Sequence, residues 1–512
     1  MRAATSRPAL PGRKRAVSRA VALVVGSGCL VLTAVSGGAI ALASVTIPAR
    51  SIAVAKAAQS GSRAAAAVTP IVAGVPDSSW GAFLDGPLHH SYAPIQTAIT
   101  PANATTLVEK WGQTAVGKPY LASPIVNRGS VYVGGGDGWF YRLSEHTGQV
   151  LASMYIGAQP ATTCPQPLGV TSTATIMQNP VTHVLTVYVA GGDGYLYALR
   201  ALTLRPEWRS VIAIPRKHVD NYYDWSSPTV ANGKIYIGIA SNCDRPLVRA
   251  GVVAYNQATG ARLARFYTVP PGTRGGSVWS SVAVAPSGDV FATTGNGPAH
   301  HGLLGYSESI LKLNPNTLAL LGRFQVPAAQ ITGDGDFGAS PVIFGRFVGA
   351  CNKNGYFYAL RQRTMTLAWR VQIGHNAGGH PGWGACLAAP VYNGQDLFFG
   401  GNMTPDGTHL GTVQERSRHT GALLWAAPTP LPGGVMGSPT MDGAGVLAVG
   451  TYAAGTTLGV YLVNATSGEI LPPAGSPAGS PLISGATFGQ PVFAENEIFI
   501  ANSNGVYAYG LP

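Results

Sequence analysis

Short apolar runs alternate with turn residues along most of the chain, and the same pattern returns at regular intervals. Residues 129–143, 184–199 and 497–509 each place β-branched and aromatic residues on both sides of a turn containing Asp-Gly or Asn-Gly. A turn of this kind between two alternating runs is the strongest short-range signal for a β-hairpin. The pattern predicts antiparallel hairpins, and no long amphipathic helical pattern follows residue 47.

The hairpins belong to a repeat of about 50 residues. A small or polar residue, in most units followed by proline, precedes an apolar run eight times, at intervals of 50, 54, 54, 59, 49, 49 and 52 residues. This spacing is typical of four-stranded propeller blades. The repeat predicts an all-β, eight-bladed propeller of four-stranded antiparallel blades. The eight positions are Ser123-Pro124, Thr173-Ala174, Ser227-Pro228, Ser281-Val282, Ser340-Pro341, Ala389-Pro390, Ser438-Pro439 and Gln490-Pro491.

The two ends of the repeat complement each other. Residues 107–111 resemble an outer strand but have no inner strands, whereas the last unit ends at Pro512 before any outer strand. We expect this N-terminal outer strand to close the last blade and remove an open sheet edge. Thr-Gly turns lead to the other outer strands, several of which contain tryptophan: Thr147-Gly148, Thr259-Gly260 and Thr420-Gly421, with Trp208, Trp369 and Trp425.

The positive charge is concentrated at the N-terminus. The formal net charge is +12, but nine of the 33 Lys and Arg residues precede the first acidic residue, Asp77. The remaining 24 basic residues face 21 acidic residues, which leaves the body near neutrality. Because a nucleic-acid partner requires a strongly basic surface, we expect none.

The N-terminal basic residues flank an apolar run. Residues 20–47 carry no charge and include Ala41-Leu42-Ala43, a small-x-small site before Ser44. The run predicts a secretory signal, and an uncleaved membrane anchor is the alternative because its length can span a bilayer. Either places the body outside the cytoplasm, secreted or at the cell surface. The predicted domains are the export segment or anchor (1–47), a flexible Ala/Ser/Pro linker (48–76) and the propeller (77–512).

The number and spacing of the five cysteines limit which disulfides and metal sites the chain can form. Cys29 lies in the export segment, and four cysteines lie in the body. In an oxidising compartment these four can form two disulfides with three possible pairings. No Cys-x-x-Cys or Cys-x-x-Cys-His occurs, so we expect neither a zinc ribbon nor a c-type haem. The body cysteines are Cys164, Cys243, Cys351 and Cys386.

Across nearly all of residues 80–512 the blade motifs resemble the pyrroloquinoline-quinone (PQQ) type propellers, the quinoprotein alcohol dehydrogenase-like family. Residues 80–92 and 100–111 resemble the opening segment of that family. The fold is shared by dehydrogenases and by non-enzymatic scaffolds, so it does not decide the function.

Three local stretches are similar to the dehydrogenase branch, especially to secreted polyvinyl-alcohol-dehydrogenase-like members. The resemblance implies that Trp279 forms the floor under the quinone and that Asn296 binds calcium. It further implies a catalytic aspartate at Asp334 or Asp336. The stretches are 276–281 with 294–297, 334–341, and 351–360 with 378–385.

The third stretch resembles the blade whose lysine contacts the quinone. It implies Lys353 as a cofactor contact, with Trp383 beside it. An indole can stack on a flat quinone, and a lysine can donate to quinone carbonyls and carboxylates. Calcium takes oxygen ligands and polarises a carbonyl, while a carboxylate removes the proton of an alcohol. The resemblance thus implies PQQ and calcium and a small or polymeric alcohol substrate. We expect no haem, so an active enzyme would need an external electron acceptor.

The chain departs from the family at one metal position. The calcium-binding glutamate aligns with Arg245, and Asp244 is the candidate metal ligand in its place. Each candidate also has a structural interpretation: packing for Trp279, a turn for Asn296, and a loop for the others. The alternative function is a non-catalytic propeller that binds proteins or cell-wall polymers at the cell surface. A cavity lined by the candidates favours an enzyme, and a filled channel favours a scaffold.

Overall fold

The computed structural model describes residues 79–119, 121–159, 168–216, 219–298, 303–375, 384–455 and 457–512. Within these ranges the chain is all-β, with three single-turn 3₁₀ segments and no α-helix: Phe83–Asp85, Ala104–Thr106 and Ala328–Gln330. No helix in the described part is long and apolar enough to cross a membrane. The predicted export segment and the predicted linker lie outside these ranges.

Eight antiparallel sheets confirm the predicted eight-bladed propeller. From the innermost to the outermost strand, blades one to four are Ile125–Asn127, Ser130–Gly134, Trp139–Ser144 and Val150–Tyr155; Thr175–Gln178, Leu185–Ala190, Tyr195–Arg200 and Pro206–Val211; Thr229–Ala231, Lys234–Ser241, Gly251–Asn256 and Arg262–Tyr267; Ala283–Val284, Val290–Thr293, Ser309–Leu313 and Leu320–Gln325.

Blades five to eight follow the same order around the axis. They are Val342–Phe344, Phe347–Cys351, Tyr356–Arg361 and Leu367–Gln372; Val391–Tyr392, Asp396–Met403, Leu410–Ser417 and Leu423–Ala426; Thr440–Asp442, Val446–Gly450, Gly459–Asn464 and Ile483–Ser484; Val492–Ala494, Glu497–Asn502, Gly505–Gly510 and Val108–Gln113. Short additional strands are Tyr92–Ala93 on blade seven, Tyr222–Tyr223 on blade three, and the pair Gly433–Gly434 and Ala453–Gly455.

The N-terminal strand closes the last blade, as the sequence predicts. Val108–Gln113 pairs antiparallel with Gly505–Gly510, and its Trp111 packs against Phe499 with ring centroids 6.2 Å apart. The N- and C-terminal parts of the propeller therefore share one sheet, and the outer edge of the third strand of this blade is covered.

Side-chain hydroxyls connect neighbouring blades around the axis. At six of the eight blade junctions, the residue in front of the inner strand donates its backbone N–H to the hydroxyl of the corresponding residue in the next blade. We call the hydroxyl-bearing residues Ser123, Thr173, Ser227, Ser281, Ser340 and Ser438 the inner ring. The six bonds are Ser123 N to Thr173 Oγ1 (2.9 Å), Thr173 N to Ser227 Oγ (3.0 Å), Ser227 N to Ser281 Oγ (2.9 Å), Ser281 N to Ser340 Oγ (2.9 Å), Ala389 N to Ser438 Oγ (3.0 Å) and Gln490 N to Ser123 Oγ (2.8 Å).

The Thr-Gly turns and outer-strand tryptophans form a second contact between blades, at the periphery. A Cβ added to Gly148 would lie 2.4 Å from the Trp111 ring, and one added to Gly260 would lie 2.5 Å from the Trp208 ring. Both glycines also adopt a positive φ, which favours glycine over any other residue. The indole of one blade thus covers the turn of the next, which explains why the two motifs recur together.

The segment of residues 80–96 crosses the propeller at the far ends of the inner strands. Its backbone bonds to several blades: Trp80 pairs with Val126, and Leu88 O accepts from Ile343 N at 3.0 Å. The buried His89 donates Nδ1–H to Pro341 O at 2.8 Å. The segment crosses the axis next to the inner strands, and these bonds fix it to the blades.

The inner ring predicts how single substitutions change stability. Thr173→Val keeps the side-chain shape but leaves the buried Ser123 N–H without its acceptor, which we expect to cost about 1–3 kcal/mol in the free energy of unfolding. Ala389→Ser supplies an acceptor for Ser340 N, so we expect it to raise the free energy of unfolding by up to about 1 kcal/mol. Urea unfolding of both variants tests the ring, and equal midpoints for Thr173→Val and the wild type would contradict it.

Candidate functional site

The candidate residues lie at one end of the propeller because of the order of the strands. Trp279 and Asp336 precede the inner strands of blades four and five, whereas Asp244, Asn296 and Lys353 follow the second strands of blades three, four and five. In an antiparallel pair, the start of one strand lies beside the end of its neighbour. The fold therefore brings residues that are up to 109 positions apart to the same end of three adjacent blades.

Lys353 lies at the centre of the site. Its Nζ donates to Asp336 Oδ2 at 2.8 Å and to Asp334 Oδ2 at 2.9 Å. The same ammonium lies 5.5 Å from the centroid of the Trp279 ring, within the range of a cation–π contact. Lys353 is buried, and Asp334 is the more accessible aspartate, with 26% of its side chain exposed against 6% for Asp336.

Asn296 connects the aspartates of two blades. Its Nδ2 donates to Asp334 Oδ1 at 2.8 Å and to Asp244 Oδ2 at 3.2 Å, and its backbone N–H donates to Asp336 Oδ1. One oxygen from each of the three aspartates lies within 4.8 Å of the others. We call Asp244, Asn296, Asp334, Asp336 and Lys353 the Lys353 cluster.

The cluster holds three carboxylates against one ammonium, and this imbalance changes the pKa values. Burial raises the pKa of Asp336; Lys353 opposes that increase, while Asp244 and Asp334 add to it. For Asp334 burial also raises the pKa, but Lys353 and the Asn296 hydrogen bond outweigh it, so the net pKa is lowered. Burial alone would lower the pKa of Lys353, but Asp336 and Asp334 raise it above its ordinary value. The lysine is therefore charged, and the aspartates differ in basicity.

Two glycines leave room for the side chains of Lys353 and Trp279. A Cβ on Gly384 would lie 2.3 Å from Cγ of Lys353, and a Cβ on Gly338 would lie 2.5 Å from the Trp279 ring. Both distances are far below van der Waals contact, so any other residue would displace the lysine or the indole. The backbone of blades five and six thus approaches the two predicted cofactor contacts closely.

One disulfide supports the position of Lys353. Cys351 and Cys386 are bonded, which joins the end of a blade-five strand to the segment before blade six. Ala385 N also donates to Lys353 O at 3.0 Å. Cys243 is disulfide-bonded as well, and Cys164 lies outside the described residues. Of the three pairings open from the sequence, the structure selects one that contains Cys351–Cys386.

The structure brings together six of the seven predicted site residues. Trp383 lies outside the described residues, so its predicted contact with a cofactor is untested. Arg245, the departure from the family pattern, is exposed, and Asp244 beside it bonds to Asn296 and Ser241. At these two positions it is therefore the carboxylate of Asp244 that contacts Asn296.

Glu308 is a site residue that sequence reasoning missed. It is fully buried, and its carboxyl oxygens have no hydrogen-bond partner among the described residues. Burial, followed by repulsion from Asp336 and Asp334, raises its pKa to about 8. Its Oε2 lies 2.9 Å from where a Cβ on Gly335 would be, between the two aspartates. The sequence around Glu308 contains no motif that signals this position.

A narrow cavity lies on the axis beside the cluster. It measures about 80 Å³ and is lined by the inner ring and by large side chains: Phe83, Leu121, Trp225, Trp279, Leu387, Met436 and Phe488. Sites for small molecules usually measure about 300–1,000 Å³, so this cavity by itself is too small for a tricyclic quinone. Among the described residues, large side chains narrow the axis to this cavity, and the polar candidates surround Lys353 next to it.

Two comparisons with known sequences match about a third of the chain each. The family model described as "Outer membrane protein assembly factor BamB" matches residues 95–263. Quinohemoprotein alcohol dehydrogenase ADH IIB of Pseudomonas putida is 32% identical over 232 residues, which cover 37% of this chain and 32% of that protein. The chain thus matches about a third of the length of this relative.

Solved structures show the same fold at low sequence identity. The quinohemoprotein alcohol dehydrogenase of Comamonas testosteroni superposes with a TM-score of 0.63 at 16% identity, over 84% of this chain and 80% of that one. A europium-containing methanol dehydrogenase superposes with a TM-score of 0.66 at 13% identity, over 85% and 98% of the two chains. These likenesses establish architecture alone. Together with the repeated blade motif, they show that the chain is an eight-bladed β-propeller similar in fold to the quinoprotein alcohol dehydrogenases.

Proposed function

We propose that the protein binds PQQ and calcium at the Lys353 cluster and oxidises an alcohol. The observation that supports this most directly is the position of Lys353, which bridges Asp334 and Asp336 beside the Trp279 ring. A loop that has only a structural role does not need a buried ammonium between two carboxylates and an aromatic ring. It suits a site for a flat, anionic cofactor together with a metal ion.

The donor set fits a hard cation. Asp244, Asp334 and Asp336 each offer a carboxylate oxygen within 4.8 Å of the others, and Asn296 lies between them. Calcium prefers such oxygen ligands and accepts irregular geometry. Because three carboxylates exceed the single ammonium by two charges, a bound divalent ion would neutralise the cluster. Asp244 and Asn296 are the proposed metal ligands, and Asp334 and Asp336 lie beside them.

The remaining residues fit the quinone. The Trp279 face would stack on the ring system, and Lys353 would donate to its carbonyl or carboxylate oxygens. Trp383 is the third proposed contact. When bound, the quinone would accept the hydride of the alcohol, with its two electrons, and the calcium ion would act as a Lewis acid.

The protein itself supplies the proton acceptor. Asp334 and Asp336 are the proposed bases for the hydroxyl proton, and Asp334 is the one that a substrate reaches more easily. Lys353 and Asn296 hold both carboxylates in place, so little reorganisation is needed when the proton arrives. The electrons then require an external acceptor. We further propose an extracytoplasmic location, which the predicted export segment supports.

A non-catalytic scaffold is the second candidate. Two observations favour it: the narrowed axis, and a matching family model described as an outer membrane assembly factor. Such a protein would bind a protein or a cell-wall polymer on one face of the propeller. It would respond to neither PQQ nor calcium.

Replacing the central lysine should abolish tight cofactor binding. In Lys353→Met the charged donor is lost, and we expect the affinity for PQQ to fall at least tenfold, because each charge-assisted hydrogen bond contributes about 1.5–3 kcal/mol. Lys312→Met is the matched control, since Lys312 also pairs with a carboxylate, Asp289, at 3.0 Å in blade four. Absorbance titration at fixed calcium measures both. Binding that is unchanged in Lys353→Met, or absent in the wild type, would favour the scaffold.

Calcium should stabilise the protein through the same cluster. We expect calcium to raise the melting temperature and EGTA to reverse the increase, because an ion that binds only the folded state shifts the folding equilibrium. Asp244→Asn should lower the calcium affinity about tenfold. In EGTA the same substitution should be neutral or stabilising, because it removes repulsion between carboxylates. The exposed Asp406→Asn serves as control, and an equal loss of the calcium response in both variants would refute the site.

A further inference from the structure

A second and much larger cavity lies at the opposite end of the inner strands. It measures about 680 Å³ and lies between the crossing segment of residues 80–96 and the strand ends of blades two, three and four. The Lys353 cluster lies at the end of the propeller where the inner strands start, whereas the cavity is lined by residues at and after the ends of these strands. The cavity is therefore separate from the proposed active site, and its volume is within the range of small-molecule sites.

The wall of this cavity is fixed before any ligand enters. The crossing segment forms one side, and its backbone bonds to the blades on both flanks of the cavity. Ile176 N donates to Gly81 O at 2.8 Å, and Val284 N donates to Pro87 O at 2.8 Å. A preformed cavity of this kind requires little ordering when it binds a molecule.

Most of the lining is apolar, and its acidic member is Asp85. The principal apolar side chains are Phe83, Leu88, Ile176, Met177, Val230 and Val284. Asp85 is exposed to the cavity while protein surrounds it, and burial raises the pKa of its carboxyl to about 8. Leu84 and Asp85 both have positive φ values, of 52° and 60°.

We infer that this cavity binds an apolar small molecule that carries one amine cation, with Asp85 as the counter-ion. The apolar wall would cover the hydrocarbon part, and the carboxylate would pair with the ammonium in surroundings that screen charges poorly. Two histidines also line the cavity, His90 and His183. Burial lowers the pKa of His90 in spite of its bond to Ile343 O, so near neutral pH this imidazole does not repel a cation.

Octylammonium and 1-octanol test this inference on the full-length protein. Both probes carry the same alkyl chain, and only the first is charged. We expect calorimetry to show that Asp85→Asn, which keeps the shape of the side chain, weakens octylammonium binding at least tenfold and leaves octanol binding unchanged. Asp406→Asn removes an acid from an exposed loop and should change neither affinity. Ala231→Trp, which fills the cavity from blade three, should abolish the binding of both probes.

The effect of pH provides a second readout. Asp85 must lose its proton to pair with a cation, so octylammonium affinity should rise as the pH increases from about 6.5 to 9. An alkylammonium keeps its charge up to about pH 10, as a lysine does. This increase in affinity with pH should disappear in Asp85→Asn. It should persist in His183→Gln, because His183 and His90 are the other titratable side chains that line the cavity.

Three results would overturn the inference: no binding of either probe, equal octylammonium affinity in the wild type and Asp85→Asn, or binding that survives Ala231→Trp. None of these measurements involves PQQ or calcium. The inference can therefore fail while the proposed oxidation stands, and the reverse is also possible.

Discussion

The hydrogen bond from the backbone of one blade to a hydroxyl of the next is the constraint on which the propeller depends. Each blade is a flat sheet that cannot bury both of its faces alone, so its neighbours must hold a fixed register around the axis. The inner ring sets that register with short side chains, as in the 2.9 Å bond from Ser123 N to Thr173 Oγ1. The corresponding residues of the other two blades, Ala389 and Gln490, have no hydroxyl. The amide side chain of Gln490 bonds to the crossing segment instead.

The inner ring also positions the chemistry. Trp279 lies two residues before Ser281 of the ring, and Asp336 lies four residues before Ser340. Once the ring places the starts of neighbouring inner strands at one level, these side chains lie beside Lys353 and Asn296 from the adjacent second strands. The cluster then combines three carboxylates, one amide and one ammonium in a small volume. The electrostatic imbalance that results is the physical basis for the proposed binding of a cation.

The same architecture makes the two ends of the propeller different. At the start of the inner strands, polar side chains converge beside a narrowed axis. At their far ends, the crossing segment leaves a large and mainly apolar cavity with Asp85 in its wall. The two proposed sites therefore lie toward opposite ends of the inner strands.

The sequence by itself determined the repeat, the number of blades, the closing outer strand and six residues that the structure brings together. These follow from local patterns: a hairpin depends on its own turn, and a propeller depends on the interval between hairpins. The sequence did not determine that Glu308 lies beside the aspartates, that Asp244 rather than Arg245 points to Asn296, or which cysteines pair. Only the tertiary structure decided these, because each depends on contacts between blades or on the direction of one side chain in a loop. The cavity around Asp85 is of the same kind, since its walls come from the crossing segment and three separate blades.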